Sequence, residues 1–378
     1  MINFDHAATT PLRKEVLEAM LPYLTEQYAN ASGTYAAARQ TRSAIDRARR
    51  SIAEAIGAEP GEIYLTSGGT EADNWALVGA LRASNGRRRI VTTKIEHHAI
   101  LSTCAMLEAQ GVEVVYLNVD REGRVDCCEA EREINTDTLL VSVMLANNEV
   151  GTIEPVAEIA QIAHANGALM HTDAVQAVGH IPVDLHALGV DLLSLSAHKF
   201  GGPKGVGALA VRSGVRLQGL ILGGSQERSL RAGTENTPGI VGMGEALRLA
   251  AEEMEDAAGC TRTLRDRLTE RMLRLPGVRL NGSRTDRLPG NAHFTIENQD
   301  SSLLLARLDM AGIAASAGSA CTSGITERSH VLRAMFPDET ESGLADLRLT
   351  LGADNTPEEI ESACAVLDRI LCESKESI

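Results

Sequence analysis

From about residue 16 to residue 250 the chain alternates between short apolar runs and amphipathic segments, and that rhythm leaves few folds open to it. EIYLTSG reads as a strand and EADNWALVGAL as the helix after it. RRIVTTK, VEVVYLNV, TLLVSVML, ALMHTDA, LLSLSA and GALAV are also strand-like. Helices such as VAEIAQIAHANG lie between several of them, and Ile45, Ala48, Ile52, Ala53 and Ile56 recur at helical spacing. Such alternation predicts a largely parallel sheet with helices on both faces. The charged stretch AAEEMEDAAGCTRTLRDRLTERML reads as a long solvated helix leading to a second domain. There AHFTIEN, the region around Ile313 and LADLRLTLG are strands, and TPEEIESACAVLDRILCES is a closing helix started by Thr356-Pro357. A chain of 378 residues also exceeds what one core usually organises, so two domains are expected.

Charge and cysteine usage narrow the function classes. A formal charge of −15 repels phosphate backbones, so no direct nucleic-acid binding is expected. Neither a signal-like start nor an uncharged apolar stretch long enough for a membrane span is present in the sequence, and a cytoplasmic, membrane-free protein is expected. The seven cysteines have no repeated spacing, and the adjacent Cys127 and Cys128 form no metal or redox motif, so no metal site is expected. Cys104, Cys260, Cys364 and Cys372 fall in helix-like segments and read as buried small apolar residues. Cys321, in the small-residue run SAGSACTSG, differs from them.

Three stretches at strand ends carry chemistry, where sheets of this type bind ligands. In TSGGTEAD, Gly68 and Gly69 permit a tight turn, and the helix start that follows can cradle a phosphate with help from Thr70. A plain glycine turn fits the stretch equally, and a Walker motif is absent. In HTDAVQ, Asp173 closes an apolar strand. A buried carboxylate there calls for a cationic partner, unless it merely caps a helix. In SLSAHKFGGPKG, Ser196, His198 and Lys199 follow a strand in a chain with 5 Lys against 31 Arg. A desolvated lysine amine suits covalent carbonyl chemistry, and a salt-bridged lysine is the plainer alternative.

In one order along the chain stand the Gly-rich turn, EHH, NNE, DAVQ, SAHK and GSACTSG. With them the chain resembles, from DHAATTP to LRLTLG, the cysteine desulfurases of the NifS/IscS type. These are class V aminotransferase-like enzymes that use pyridoxal 5′-phosphate. The resemblance implies an α/β protein of the aspartate aminotransferase-like fold type I. Residues 12–255 would form the large cofactor-binding domain, with its mostly parallel sheet. Residues 1–11 and 256–378 would form a smaller α+β domain carrying Cys321 and Arg348. It also implies a homodimer that converts L-cysteine to L-alanine.

The same resemblance assigns roles by position. Lys199 would carry the cofactor on its amine, and Asp173 would pair with the pyridine nitrogen. Gln176 would bond the ring oxygen. His97, rather than its neighbour His98, would stack on the ring and move protons. The Gly69 turn, Thr70, Ser196 and His198 would hold the phosphate, joined by Thr234 of the partner subunit. Asn148 would stand near substrate and ring, and Arg348 would grip the substrate carboxylate. Cys321 would take the sulfur as a persulfide and pass it to a protein acceptor. Candidate acceptors are an iron–sulfur scaffold, a tRNA-thiolation protein or a DNA-phosphorothioation protein. The chain departs from the family pattern in LGAD, where a basic residue is common, and at Tyr35 and Ala38, where histidine and glycine are usual. A selenocysteine lyase or a plain aminotransferase on the same fold is the nearest rival, and a plain aminotransferase would need no Cys321. A catalytically silent scaffold is a rival of another class.

Overall fold

The computed structural model describes residues 1–318 and 328–373. Its elements in chain order are β1 (Ile2–Asn3), α1 (Lys14–Thr25), α2 (Ala36–Ala55), β2 (Ile63–Thr66), α3 (Gly69–Ala83), β3 (Arg89–Thr93), α4 (His98–Glu108), β4 (Glu113–Leu117) and α5 (Cys127–Glu133). Then follow β5 (Thr138–Ser142), α6 (Val156–Ala165), β6 (Leu169–Asp173), β7 (Leu192–Ser196), β8 (Gly207–Val211) and α7 (Thr237–Met272). The chain closes with β9 (Val278–Asn281), β10 (Asn291–Glu297), α8 (Ser301–Met310), β11 (Ile313–Ala314), α9 (His330–Met335), β12 (Leu344–Thr350) and α10 (Pro357–Glu373).

Seven strands form one sheet in the order β2-β8-β7-β6-β5-β3-β4. The neighbours from β4 to β7 pair in parallel, and β8 runs antiparallel to both β7 and β2. The mainly parallel sheet expected from the alternation is therefore present. Its central strands β5, β7 and β8 are buried at every position, as both-face coverage by helices requires. Because β8 alone is reversed, the carboxyl ends of β2, β3, β5, β6 and β7 share one edge.

A separate antiparallel sheet, β12-β10-β9, packs with α8 and α10 around Phe4, Phe294, Leu347, Leu349 and Ile360. Helix α7 serves both cores: Ile240, Met243 and Leu247 belong to the first, and Leu268 and Met272 to the second. It begins well before the charged stretch that announced it, and it is continuous across residue 255. The first residues of the chain join the second unit, where Ile2 pairs with Ile313 and the Thr350 amide donates to the Phe4 carbonyl at 2.7 Å. A few residues on they reach the first, where the Thr10 amide donates to the His198 carbonyl at 2.9 Å.

One expectation about the cysteines needs correction. Cys104 and Cys364 are buried, but Cys260 and Cys372 are exposed. Helical periodicity explains both: Thr261 rather than Cys260 faces the core on α7, and Ile370 and Leu371 fill that place on α10.

Candidate active site

The carboxyl edge of the sheet opens into a cavity of about 220 Å³. Of the residues singled out from the sequence, Gly69, Thr70, His97, Asn148, Asp173, Gln176, Ser196, His198, Lys199 and Arg348 all line it. Thr234 does not. It is exposed on a segment tethered by the bidentate Arg231–Glu71 pair, at 2.8 and 3.0 Å, to the first turn of α3. Cys321 lies outside the described residues. On either side of it, the Arg348 amide donates to the Ser316 carbonyl at 2.6 Å, and the Ser329 hydroxyl donates to Glu149.

The turn between β2 and α3 is shaped by glycine. Gly68 adopts a φ of +153°, open mainly to glycine, and a Cβ on Gly207 of β8 would stand 2.7 Å from its Cα. The close approach lets α3 begin at the cavity, with its first amides and Thr70 turned to an anion's usual place. Ser196 ends β7, and His198 sits in the single turn Ala197–Lys199. Burial, then Lys199 and Lys204, push His198 down to about 4, so at neutral pH it offers a neutral N–H.

Lys199 turns back across the cavity. Its Nζ donates to the carbonyls of Ala7 and Ala8, the latter at 3.0 Å, and its own carbonyl meets His180 Nε2 at 2.8 Å. Gln176 Nε2 donates to the same Ala7 carbonyl at 2.9 Å. The DHAATTP opening thus supplies backbone to the site, which no side-chain motif announces.

His97 caps α4 with its own ring. Nδ1 accepts the Ala99 amide proton at 3.1 Å, which places the proton of the neutral ring on Nε2. Burial holds its pKa below the ordinary value, against the pull of Asp173. His98 stands apart from the cavity lining and packs instead against His330, with ring centroids 4.7 Å apart.

Asp173 closes β6, 5% exposed, and accepts the Val175 amide at 2.9 Å. Burial raises its carboxyl, while His97, that amide and Lys199 pull it down. Asp73, on the second turn of α3, is also buried, and its Oδ1 meets no hydrogen-bond donor. Oxygens of Asp73 and Asp173 and a nitrogen of His97 lie within 4.8 Å of one another. Arg348 is 2% exposed. Its Nη2 donates to Asp5 Oδ1 at 2.9 Å and its Nη1 to the Asn148 carbonyl at 3.0 Å, and Nε meets no acceptor. Sequence reasoning missed Asp5 and Asp73. Both were inside quoted motifs, Asp73 as the last letter of TSGGTEAD.

The aminotransferase class-V family model matches residues 2–362. A cysteine desulfurase IscS of Methanosarcina thermophila is 50% identical over 372 residues, spanning 98% of this chain and 92% of that one. The chain belongs to the cysteine desulfurases of the class-V aminotransferase family. A solved NifS-like protein superposes with a TM-score of 0.92 at 38% identity, covering 98% of this chain and 99% of the other. A structure of SspA in complex with cysteine matches with a TM-score of 0.82 at 33% identity, covering 94% and 100%.

The family depends on pyridoxal phosphate, and the cavity fits that group. Asp173, buried with the Asp73 carboxyl beside it, calls for a single cation, which a protonated ring nitrogen provides. A helix start, two hydroxyls and a neutral histidine suit the phosphate, and one lysine amine lies between.

Proposed function

We propose that this chain removes sulfur from L-cysteine, releases L-alanine and passes the sulfur through Cys321 to a protein acceptor. The observation that carries the reading is the convergence of Lys199, Asp173, His97 and Arg348 on one cavity, in a chain half identical to a cysteine desulfurase. Lys199 would bind the cofactor aldehyde, with Thr70, Ser196 and His198 on the phosphate, Asp173 on the ring nitrogen and Gln176 on the ring oxygen. When bound, pyridoxal phosphate supplies an electron sink for carbanion chemistry at the substrate.

Arg348 and Asn148 orient cysteine by its carboxylate, a task matched to the planar guanidinium fork. Lys199, released from its covalent role, takes the Cα proton on Nζ. His97 holds a proton on Nε2 and faces the cavity from the end of α4. The Cys321 thiolate attacks the substrate sulfur: an S–S bond forms, the C–S bond breaks, and its electron pair stays with the three-carbon fragment that leaves as alanine.

A homodimer is part of the reading. Leu12, Leu17, Leu21, Leu24 and Tyr28 expose 39–82% of their surface along the first segment and α1, an apolar stripe suited to a second copy. Thr234 would reach the partner's phosphate site across that assembly. The reading takes residues 12–255 as the cofactor domain, and 1–11 with 256–378 as the smaller one. It also places the protein in the cytoplasm, in keeping with the free cysteines among the described residues. The acceptor would be an iron–sulfur scaffold, a tRNA-thiolation protein or a DNA-phosphorothioation protein.

The test is to supply L-cysteine without reductant or acceptor. About one alanine per site should appear before turnover stalls, with one extra sulfur on Cys321 by mass spectrometry. Cys321→Ser should still bind cofactor but release no alanine. Alanine formation that requires a keto acid, or a persulfide on Cys104 or Cys127 instead, would sink the proposal.

A further inference from the structure

Beneath the cofactor cavity a row of polar side chains crosses the sheet. Ser142 Oγ on β5 lies 2.8 Å from His171 Nδ1 on β6, and His171 Nε2 lies 3.0 Å from Ser194 Oγ on β7. Asp73 on α3 borders this row, its Oδ1 3.7 Å from His171 Nε2. His171 and Ser194 are wholly buried and Asp73 is 1% exposed. None of them has a role in the chemistry above, although Asp73 lines the cavity beside Asp173.

Two carboxyls this close, both out of water, cannot both stay ionised without a full cation apiece. Their surroundings differ. Asp173 has the Val175 amide, His97 and Lys199 on its side. Asp73 faces Asp173, with Glu96 as a second acid nearby, and only the Ser194 hydroxyl supports its charge. Burial and Asp173 hold its carboxyl well above the usual range. His171 brings no positive charge, since burial drives it down to about 3. A neutral His171 bonds both serines as one donor and one acceptor. If Ser142 donates to Nδ1, then Nε2–H donates to Ser194, whose own hydroxyl proton is left to turn towards Asp73.

We propose that Asp73 is a positioning residue for the cofactor ring: it stays protonated behind Asp173, held by the Ser142–His171–Ser194 row, and leaves Asp173 the single negative charge that the ring nitrogen meets. Asp73 acts through Asp173. A second ionised carboxylate would leave the pair with one negative charge in excess of the ring cation. An apolar residue would leave Ser194 and His171 without the end of their row. The proposal rests on the placement of Asp173 against the ring nitrogen, and the test separates the two.

The holoenzyme is loaded with pyridoxal phosphate carrying ¹⁵N in the ring, and the nitrogen shift is followed against pH. Asp73→Asn, a neutral isostere, should keep the protonated shift of the wild type and its cofactor affinity. Asp73→Ala should weaken cofactor binding by about tenfold. Asp173→Asn should lose ring protonation. An Asp73→Asn enzyme that loses the ring proton would overturn the proposal, because the charge would then belong to Asp73. Cofactor affinity unchanged in a folded Asp73→Ala protein would overturn it as well. If the alanine variant does not fold, the asparagine variant alone decides. Should Asp173→Asn keep its ring proton, the placement of Asp173 fails instead.

Discussion

At the scale of single residues, Lys199 and Arg348 are the sharpest tests of the site. Removing the amine in Lys199→Ala should abolish alanine release, while the phosphate and Asp173 contacts still retain some pyridoxal phosphate. Turnover and bound cofactor are read separately, by alanine assay and absorbance. Arg348→Ala should act on binding. Its guanidinium is buried and already ordered by Asp5 and the Asn148 carbonyl, so cysteine would meet a preset fork. Loss of such a desolvated ionic contact costs about 2 kcal/mol or more, which is about 30-fold in apparent affinity for cysteine. An unchanged KM would mean that another group holds the carboxylate. Lys199 was legible because lysine is scarce in this chain and follows a strand. Asp5 was not legible as its partner, because 343 residues separate it from Arg348. Pairing at that distance is set by the return of the first segment onto β12, and no local pattern encodes it.

At the scale of elements, periodicity served well wherever an element had to bury one face. The strands from β2 to β8 follow apolar runs, and α2 follows its Ile45–Ala48–Ile52 stripe. Contact surfaces between elements were not legible. Gly244 in α7 looks like an ordinary helix-weakening residue, yet a Cβ there would lie 2.7 Å from Ala48 Cα on α2. The two helices approach as closely as they do because that side chain is missing. Gly244→Ala should therefore destabilise by about 1–2 kcal/mol: overpacking of about 1–3 kcal/mol outweighs the gain in helix propensity of up to about 1 kcal/mol. Chemical denaturation would show a lower midpoint at unchanged slope, and a stabilised variant would mean that α2 shifts away freely. The exposed Cys260 and Cys372 teach the same lesson, since a helix assignment alone does not tell which face a residue occupies.

At the scale of the whole molecule, buried titratable groups give stability an unusual pH profile. Burial pushes Glu96 and Glu154 up to about 8. The folded state therefore holds protons that the unfolded chain releases near pH 4.5, and each group costs stability as pH climbs from there to about 8. Burial works oppositely on His171 and His293, at about 3, and on His198, at about 4. Those rings add stability as pH rises from their folded values to about 6.5, where the unfolded imidazole has lost its proton, and add nothing further above it. Below pH 4.5 the histidines dominate and stability rises with pH. Between 4.5 and 6.5 the two sets oppose each other. Above 6.5 only the acids act, each removing up to about 1.4 kcal/mol per pH unit. The holoenzyme should thus melt at its highest temperature in mildly acidic buffer and lose stability towards pH 8. Glu96 is the group to change. Its Oε1 accepts the Met144 amide at 3.0 Å and the Thr93 hydroxyl at 2.8 Å, while Oε2 meets no donor. Glutamine keeps the first oxygen and cannot ionise. Glu96→Gln should therefore match the wild-type Tm near pH 4.5 and exceed it by a growing margin towards pH 8, flattening the decline by the share of one group. A variant whose Tm falls in parallel with the wild type over that range would show that Glu96 is already ionised in the folded protein.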